Sequence, residues 1–418
     1  MTTNDVPGAS QPPWAKVVTL VSGQALSLTG DYVLLVALAW TAVQHGGAAA
    51  VTALTLAAAI PRSIMLIFGG AFADVHGPRW VLLRTTSARA VLLACGTLVV
   101  LSTDAFWPLI ILAAVEGALL GLGSPSFGSI MPELAEGDRL DRANSLYAMS
   151  LRLSPIIGTP VGAALIAMGR LWPAMLVVTL TCTVSFCCLV YVTKGIPVPE
   201  PTPGTNLLKR SGDGIRLLAA NARLRWLFVC AFCLDMAFAW PIEVALPVLV
   251  KDRGWGVQAI AIGVAAFATG ALLTSAVGAV LAHRIPVSVR LVFSGAGIAF
   301  GISAMAFMPS VISLAAVAFV VGVLSGLNGP TIVTLYQQAA PKMRMGAAMS
   351  TLSLAGIATG PASIALFGGL SLVFGLRTTW MLCGLVALLG PFAAVLALRS
   401  PVRETDAAPE PMRASLVS

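Results

Sequence analysis

Apolar residues run along this chain in long unbroken blocks, recurring from near its start to near its end. Twelve blocks can be drawn, at 17–43, 50–73, 85–103, 107–131, 143–168, 172–193, 225–250, 256–281, 289–308, 311–336, 347–373 and 377–398. A block of about 20 residues, rising about 1.5 Å per residue as a helix, crosses the ~30 Å hydrocarbon layer of a bilayer. The pattern therefore predicts an all-α integral membrane protein with twelve transmembrane helices. The first sixteen residues are polar, contain Asp5 and lack a basic region before an apolar core and cleavage site. The first block is accordingly expected to remain as a span.

One polar segment stands apart, "GIPVPEPTPGTNLLKRSGDGIRLLAANARLR" between the sixth and seventh blocks. Its first part is Pro-rich and extended, and its second reads as a basic amphipathic helix. It divides the chain into a six-helix bundle over 1–194, a cytoplasmic linker over 195–222, a second six-helix bundle over 223–400 and a tail over 401–418 expected to be disordered. The halves are related to each other. "GLGSPSFGSIMPELAEGDRLDRANSL" and "GLNGPTIVTLYQQAAPKMRMGAAMSTL" align at an offset of 205, matching Pro125 with Pro330, Arg139 with Arg344, Ala143 with Ala348 and Ser145 with Ser350. Internal repeats of this kind mark secondary transporters.

Composition agrees, with 58% hydrophobic residues, only 10% charged and a mean hydropathy of +0.92. The net charge of +8 raises the question of a nucleic-acid partner, and its distribution answers it. Of the 25 Lys and Arg residues, 19 fall on the side of the termini and linker, counting with them Arg89, Arg225 and Arg290 near the ends of their blocks, four on the other (Arg170, Lys251, Arg253, Arg377) and two deep within spans (Arg62, Arg152). This is the positive-inside bias. It predicts a multi-pass protein of the cell membrane, plasma or inner, with both termini cytoplasmic, the lipid bilayer as its partner and no nucleic acid. All seven cysteines lie within blocks, so no disulfide framework or zinc site follows, and "CAFC" reads as small core residues.

Ionisable residues inside spans are costly, at about 2.5 to 3.5 kcal/mol on insertion scales, and are by default a functional-site hypothesis. There are four acids, Asp31, Glu116, Asp235 and Glu243, besides Arg62 and Arg152. Gln24, Ser27 and Asp31 are spaced three and four apart and share one helical face, a polar stripe suited to line a path. Arg62 and Arg152 are expected to neutralise Asp31 and Glu116 in a network of the first half. Asp235 and Glu243 have no Lys or Arg inside any second-half span beyond its end, where Arg225, Arg290 and Arg377 stand. A carboxyl group without a cation in low dielectric holds a proton readily, the chemistry of a proton carrier. Glu243 lies nearer the outer end, within reach of Lys251 or Arg253, which leaves Asp235 the cleaner candidate.

Several absences bear on function. The chain has no G-x-x-x-x-G-K-[ST] loop for nucleotide phosphates, no G-x-S-x-G and no H-E-x-x-H, and His45, His76 and His283 fall in or beside loops. No enzyme, cofactor or metal is expected.

The loop "GGAFADVHGPRW" after the second block resembles the signature loop of the major facilitator superfamily: Gly, three residues, Asp, a basic residue, any residue, Gly and two basic residues. Gly70, Asp74, Gly77 and Arg79 match it, while Val75 and Pro78 stand where the family has basic residues; "GAVLAHRIP" in the second half keeps Gly278 and lacks the Asp. "TGDYVLLVALAW", "IPRSIMLIFGGAFAD", "MPELAEGDRLDRANSL" and "GDGIRLLAANARLRWLF", in that order, are similar to the exporter branch that includes macrolide-efflux and enterobactin-exporter proteins. The resemblance implies the major facilitator fold of two pseudo-symmetric six-helix bundles, with the Asp74 loop as a conformational gate. It also implies Gly-Pro bend motifs: Ser150, Ser154, Pro155 and Gly158 in the fifth block, and Gly356, Gly360 and Pro361 in the eleventh. The expected function is proton-coupled efflux of hydrophobic small molecules such as antibiotics or natural products, by a monomer with protons as the second partner. An importer or uniporter on the same fold is the first rival. A non-transporting sensor or membrane-embedded enzyme is the second. Trp40, Phe232, Phe238 and Trp240 would suit apolar ligands if they line a cavity.

Overall fold

The computed structural model describes residues 14–135, 138–194, 216–281, 285–340 and 345–400, and all of its regular structure is helical. The expectations for the 401–418 tail and for 195–215 of the linker lie outside these residues. Helix α1 (Trp14–His76) contains the first two spans, joined at a bend where Gly46 and Gly47 leave helical geometry; Gly47 has φ 58°, a left-handed conformation that glycine adopts without Cβ strain. Helices α2 (Pro78–Ser102), α3 (Trp107–Leu134), α4 (Asp138–Ile166) and α5 (Trp172–Thr193) complete the first half. The seventh span is α6 (Ala222–Trp240), a π-helical turn (Pro241–Ala245) and α7 (Leu246–Asp252) in continuous sequence. Next come α8 (Gln258–Leu281), a π turn (Val289–Phe293) leading into α9 (Ser294–Met305), α10 (Val311–Ala339), α11 (Met345–Phe374) and α12 (Leu376–Arg399).

Among the described residues, eight helices are long and apolar enough to cross a bilayer, and one of them, Trp14–Leu66, is bent and long enough to do so twice. Three shorter apolar stretches, Gln258–Thr274, Val289–Met305 and Ala358–Phe374, make up the twelve. Local chemistry fixes several ends. The Asn221 side chain accepts from the backbone N–H groups of Arg223 and Leu224 to start α6, and Ser310 with Ser313 forms a capping box at α10.

The repeat read from sequence recurs as packing. In α3, Gly117 and Gly121 sit against the backbone carbonyls of Ala58 and Arg62 in the second arm of α1; in α10, Gly322 and Gly326 sit against those of Phe267 and Ala271 in α8. The two glycine pairs are separated by the same offset of 205 as the sequence repeat. A Cβ at any of the four positions would collide with the neighbouring backbone, so these helices touch at their axes as small-xxx-small pairs do in membranes. Each half is thus held by an equivalent helix pair.

The halves meet through α4 on α8 and through the second arm of α1 on α11. Thr159 Oγ1 donates to the Ala261 carbonyl at 3.5 Å, Lys251 Nζ donates to the Val43 carbonyl at 2.5 Å, and Gly368 lies against Thr52. All of these contacts sit toward the bundle ends remote from the two termini. At that end the halves are closed on each other.

Candidate functional site

In the first half, three helices converge on one guanidinium. Arg89 of α2 donates from Nη2 to Asp31 Oδ1 of α1 at 2.5 Å and to Glu116 Oε1 of α3 at 2.6 Å; its Nε reaches the same Glu116 oxygen at 2.8 Å, and its Nη1 reaches Ser27 Oγ at 3.2 Å. Arg89 and Glu116 are buried, with relative exposures of 6% and 4%, while the Asp31 side chain keeps 23% of its surface. The cluster is therefore sealed on the α3 side and reachable from the α1 side.

Helical spacing explains how α2 delivers the arginine. Thr85, Arg89, Leu93 and Thr97 follow at intervals of four and are all buried, so they form the inward stripe of α2. Thr97 shares a hydrogen bond with Thr179 of α5 at 3.1 Å, which anchors the stripe on its far side. On α1, Gly30 packs against Thr181 and Gly23 against Cys188 of α5, bringing the Ser27 and Asp31 turn into the bundle. One cation faces two carboxylates, so the trio is one negative charge in excess with both acids ionised and neutral with one proton bound. In a low-dielectric setting the neutral arrangement costs far less than an uncompensated charge. A single proton on either acid would balance the charge of the cluster.

This corrects the pairing expected from sequence, which assigned Arg62 and Arg152 as the counter-ions and counted Arg89 with the inner loops. Arg62 is exposed on the second arm of α1, within electrostatic reach of Tyr32, Glu116 and Glu243. Arg152 is half-buried and makes no ion pair among the described residues. The signal for Arg89 was present in the sequence: a cation inside the 85–103 block, on the same helical face as two threonines.

In the second half, Glu243 occupies the π turn that interrupts the seventh span, against α1. Such turns recur at functional sites because they re-aim side chains. The expected partners of Glu243 are engaged elsewhere, Lys251 on the Val43 carbonyl and Arg253 over the Trp255 ring at 5.5 Å. Arg62, from the other half, is within electrostatic reach of Glu243, and the two form no ion pair among the described residues. Asp235 lies exposed on α6 with no cation near it among the described residues. Trp240 is fully buried against Phe367 and Trp380, so it is a core residue and lines no cavity; Trp40, Phe232 and Phe238 are half-buried.

The loop and bend motifs are placed as follows. Gly77 has φ 83° between α1 and α2, and Arg79 is buried in the first turn of α2; the Gly70 and Asp74 side chains lie outside the described residues. Ser150 is exposed and donates to the Leu146 carbonyl. Ser154 is buried, donates to the Ala25 carbonyl and accepts from Thr29 Oγ1, both at 3.3 Å, and Gly158 lies against the Thr29 backbone and Tyr32 Cβ. Pro155 therefore stands in a tight α4–α1 seam. Pro361 lies inside α11, and Cβ atoms at Gly356 and Gly360 would meet nothing within 4 Å. The two motifs, similar in sequence, differ in surroundings: one is packed and the other opens onto space.

Two six-span halves related by a repeat, with charges buried inside one half and further charges where the halves face each other, define a membrane transporter fold. The profile of the Major Facilitator Superfamily matches residues 20–358 and 227–418, and the chain belongs to that family. It is similar to the multidrug efflux pump Tap of Mycolicibacterium fortuitum, at 25% identity over 410 residues, 91% of this chain and 95% of that one. It is also similar to the enterobactin exporter EntS of Escherichia coli O1:K1, at 25% over 320 residues, 73% of each chain. Among solved structures, the nucleoside transporter NupG superposes with a TM-score of 0.72 at 13% identity, covering 92% of this chain and 100% of that one. The D-xylose-proton symporter does so with 0.69 at 14%, covering 93% and 97%. These likenesses establish the fold.

Proposed function

We propose that this protein is a proton-coupled exporter of hydrophobic small molecules in the cell membrane, and that Asp31, Arg89 and Glu116 form its proton-binding site. The observation that carries the reading is the charge count of that cluster: one arginine serves two carboxylates, one sealed and one partly accessible. When substrate or water reaches Asp31, the balance between a proton-bound neutral trio and an ionised one shifts, and the shift can bias the packing of α1 against α4 and α11. A proton entering down 100 mV supplies about 2.3 kcal/mol. At about 1.36 kcal/mol per tenfold, that sustains a gradient of roughly fiftyfold for a neutral substrate.

Export as the direction is supported by the efflux and exporter names of the relatives, and the orientation by the positive-inside charge distribution. With both termini cytoplasmic, the closed end of the bundle is the outer one, and the form described is inward-facing. The Asp74 loop is then at the inner face, placed to gate it.

Everted membrane vesicles test the assignment. With a panel of hydrophobic antibiotics, vesicles carrying the protein are expected to accumulate at least one compound when their lumen is acidified, and to lose it when a protonophore is added. Accumulation that survives the protonophore would remove the proton from the mechanism.

A further inference from the structure

One helical turn from the trio of Asp31, Arg89 and Glu116, the interior of the first bundle holds a second polar layer. Gln24 precedes Ser27 by three residues on α1, Thr86 precedes Arg89 by three on α2, and Ser185 follows Cys182 by three on α5. Lys16 Nζ donates to the Lys194 carbonyl, so α1 begins where α5 ends, and the layer lies on that side of the trio. Its three polar side chains line one internal cavity, which Leu20, Leu82, Phe127 and Leu189 close. The space in it for the centre of a water molecule is about 10 Å³, enough for one.

Thr86 and Ser185 are buried, and neither their hydroxyls nor the Gln24 amide has a hydrogen-bond partner among the described residues. Other hydroxyls of the same helices return to their own backbone: Thr85 and Thr97 on α2, and Thr179 and Thr183 on α5, each donate to the carbonyl four residues back. Buried polar groups without a protein partner are satisfied by ordered water, which makes about three hydrogen bonds. Arg89 offers one more group. Of the five N–H donors of a guanidinium, Glu116, Asp31 and Ser27 take four, and the fifth is on Nη1, the nitrogen bonded to Ser27. Helical side chains lean toward the preceding turn, so Arg89 reaches over Thr86 and Ser27 over Gln24. Cys182 Sγ donates to the Thr86 carbonyl at 3.8 Å, which brings α5 to the same level.

We propose that this cavity is a binding site for one ordered water molecule, which accepts the remaining Nη1 hydrogen of Arg89 and bridges it to Gln24, Thr86 and Ser185. The chemistry fits water alone. A metal cation would meet three uncharged side chains beside a guanidinium, and a polyatomic anion needs more room than the cavity has. The water is a positioning element: with its fifth N–H satisfied, the guanidinium is held with Nη2 on both carboxylates, and α1, α2 and α5 are tied together around it. Its role in transport rests on the proposed proton-binding trio. Its presence in the cavity does not.

Oxidative footprinting of the full-length protein in detergent tests the site, because X-ray pulses make hydroxyl radicals from water itself and so mark side chains beside trapped water even where they are buried. Leu20, Leu82, Phe127 and Leu189 are expected to oxidise about threefold or more faster than Leu54 and Leu109, which are buried to a similar degree. The double variant Thr86→Val with Ser185→Ala keeps the shape of the cavity and makes it apolar, and apolar cavities stay dry. Its four lining residues are expected to fall to the rate of Leu54 and Leu109, while Thr183→Val, at an exposed and back-bonded hydroxyl, changes nothing. Equal rates in wild type, or a fast rate that survives in the double variant, overturns the water site. In proteoliposomes the double variant is expected to slow proton counterflow about fivefold, the effect of one lost hydrogen bond, and to slow exchange of labelled for unlabelled compound less than twofold. Counterflow at the wild-type rate, or exchange lost as strongly as counterflow, overturns the positioning role. The oxidation readout uses no transport, so loss of the exporter reading would leave it intact.

Discussion

Arg89→Met is expected to abolish transport and to lower the amount of folded protein in the membrane. The substitution leaves Asp31 and Glu116 facing each other across α1 and α3 with the shared guanidinium gone. Removing one partner of a buried ion pair costs about 3–5 kcal/mol, because the remaining charge is stranded in low dielectric. Neutralising the acids relieves that strain. The double variant Arg89→Met with Glu116→Gln is therefore expected to recover much of the folded protein while still failing to transport. Arg89→Lys keeps the charge and loses the three nitrogens that reach Asp31, Glu116 and Ser27, so folded protein with impaired transport is expected. Fluorescence-detected size exclusion beside a drug-accumulation assay separates the outcomes. Arg89→Met protein that folds and exports normally would mean the trio is ordinary packing.

The second large effect is expected at Gly322. Its Cα approaches the Phe267 carbonyl of α8 so closely that a side chain can be accommodated only by pushing the two helices apart. Gly322→Leu is expected to cost at least the ~1–3 kcal/mol typical of overpacking, since backbone rather than a movable side chain must shift. Gly117→Leu, its repeat mate in α3 against Ala58, is expected to behave alike. Gly356→Ala is the control. A methyl group there meets nothing within 4 Å and replaces a poor helix former, so thermal stability is expected to hold or rise slightly. A melting temperature lowered equally by Gly322→Leu and Gly356→Ala would contradict the packing account.

How much of this was legible in the sequence follows from the kind of signal each feature carries. The spans were legible because crossing a bilayer imposes a length and a composition, and most blocks match the helices to within a few residues. The two-half architecture was legible in the 205-residue offset, which also relates Gly117 to Gly322. The candidate site was only partly so. Asp31 and Glu116 stood out as acids in apolar blocks, and they do share one centre. Their counter-ion was misassigned because a charge tally by loop treats an arginine near a block's edge as an anchor. The stripe of Thr85, Arg89 and Thr97 shows that it faces inward. Trp240 looked like a cavity aromatic because its neighbours in space, Phe367 and Trp380, are more than a hundred residues away. The proximity of Arg62 to Glu243 likewise joins two halves that no local spacing connects.

The central claim is that Asp31, Arg89 and Glu116 carry the coupling proton, and proton movement in proteoliposomes tests it most directly. With purified protein reconstituted around a pH-sensitive dye, an imposed gradient of a compound the protein exports drives transport, and the lumen pH is followed with no imposed membrane potential. Wild-type protein is expected to move protons opposite to the compound. Asp31→Asn is expected to pass the compound downhill without any proton signal. Proton counterflow of wild-type size in Asp31→Asn would place the coupling proton outside the trio and contradict the account.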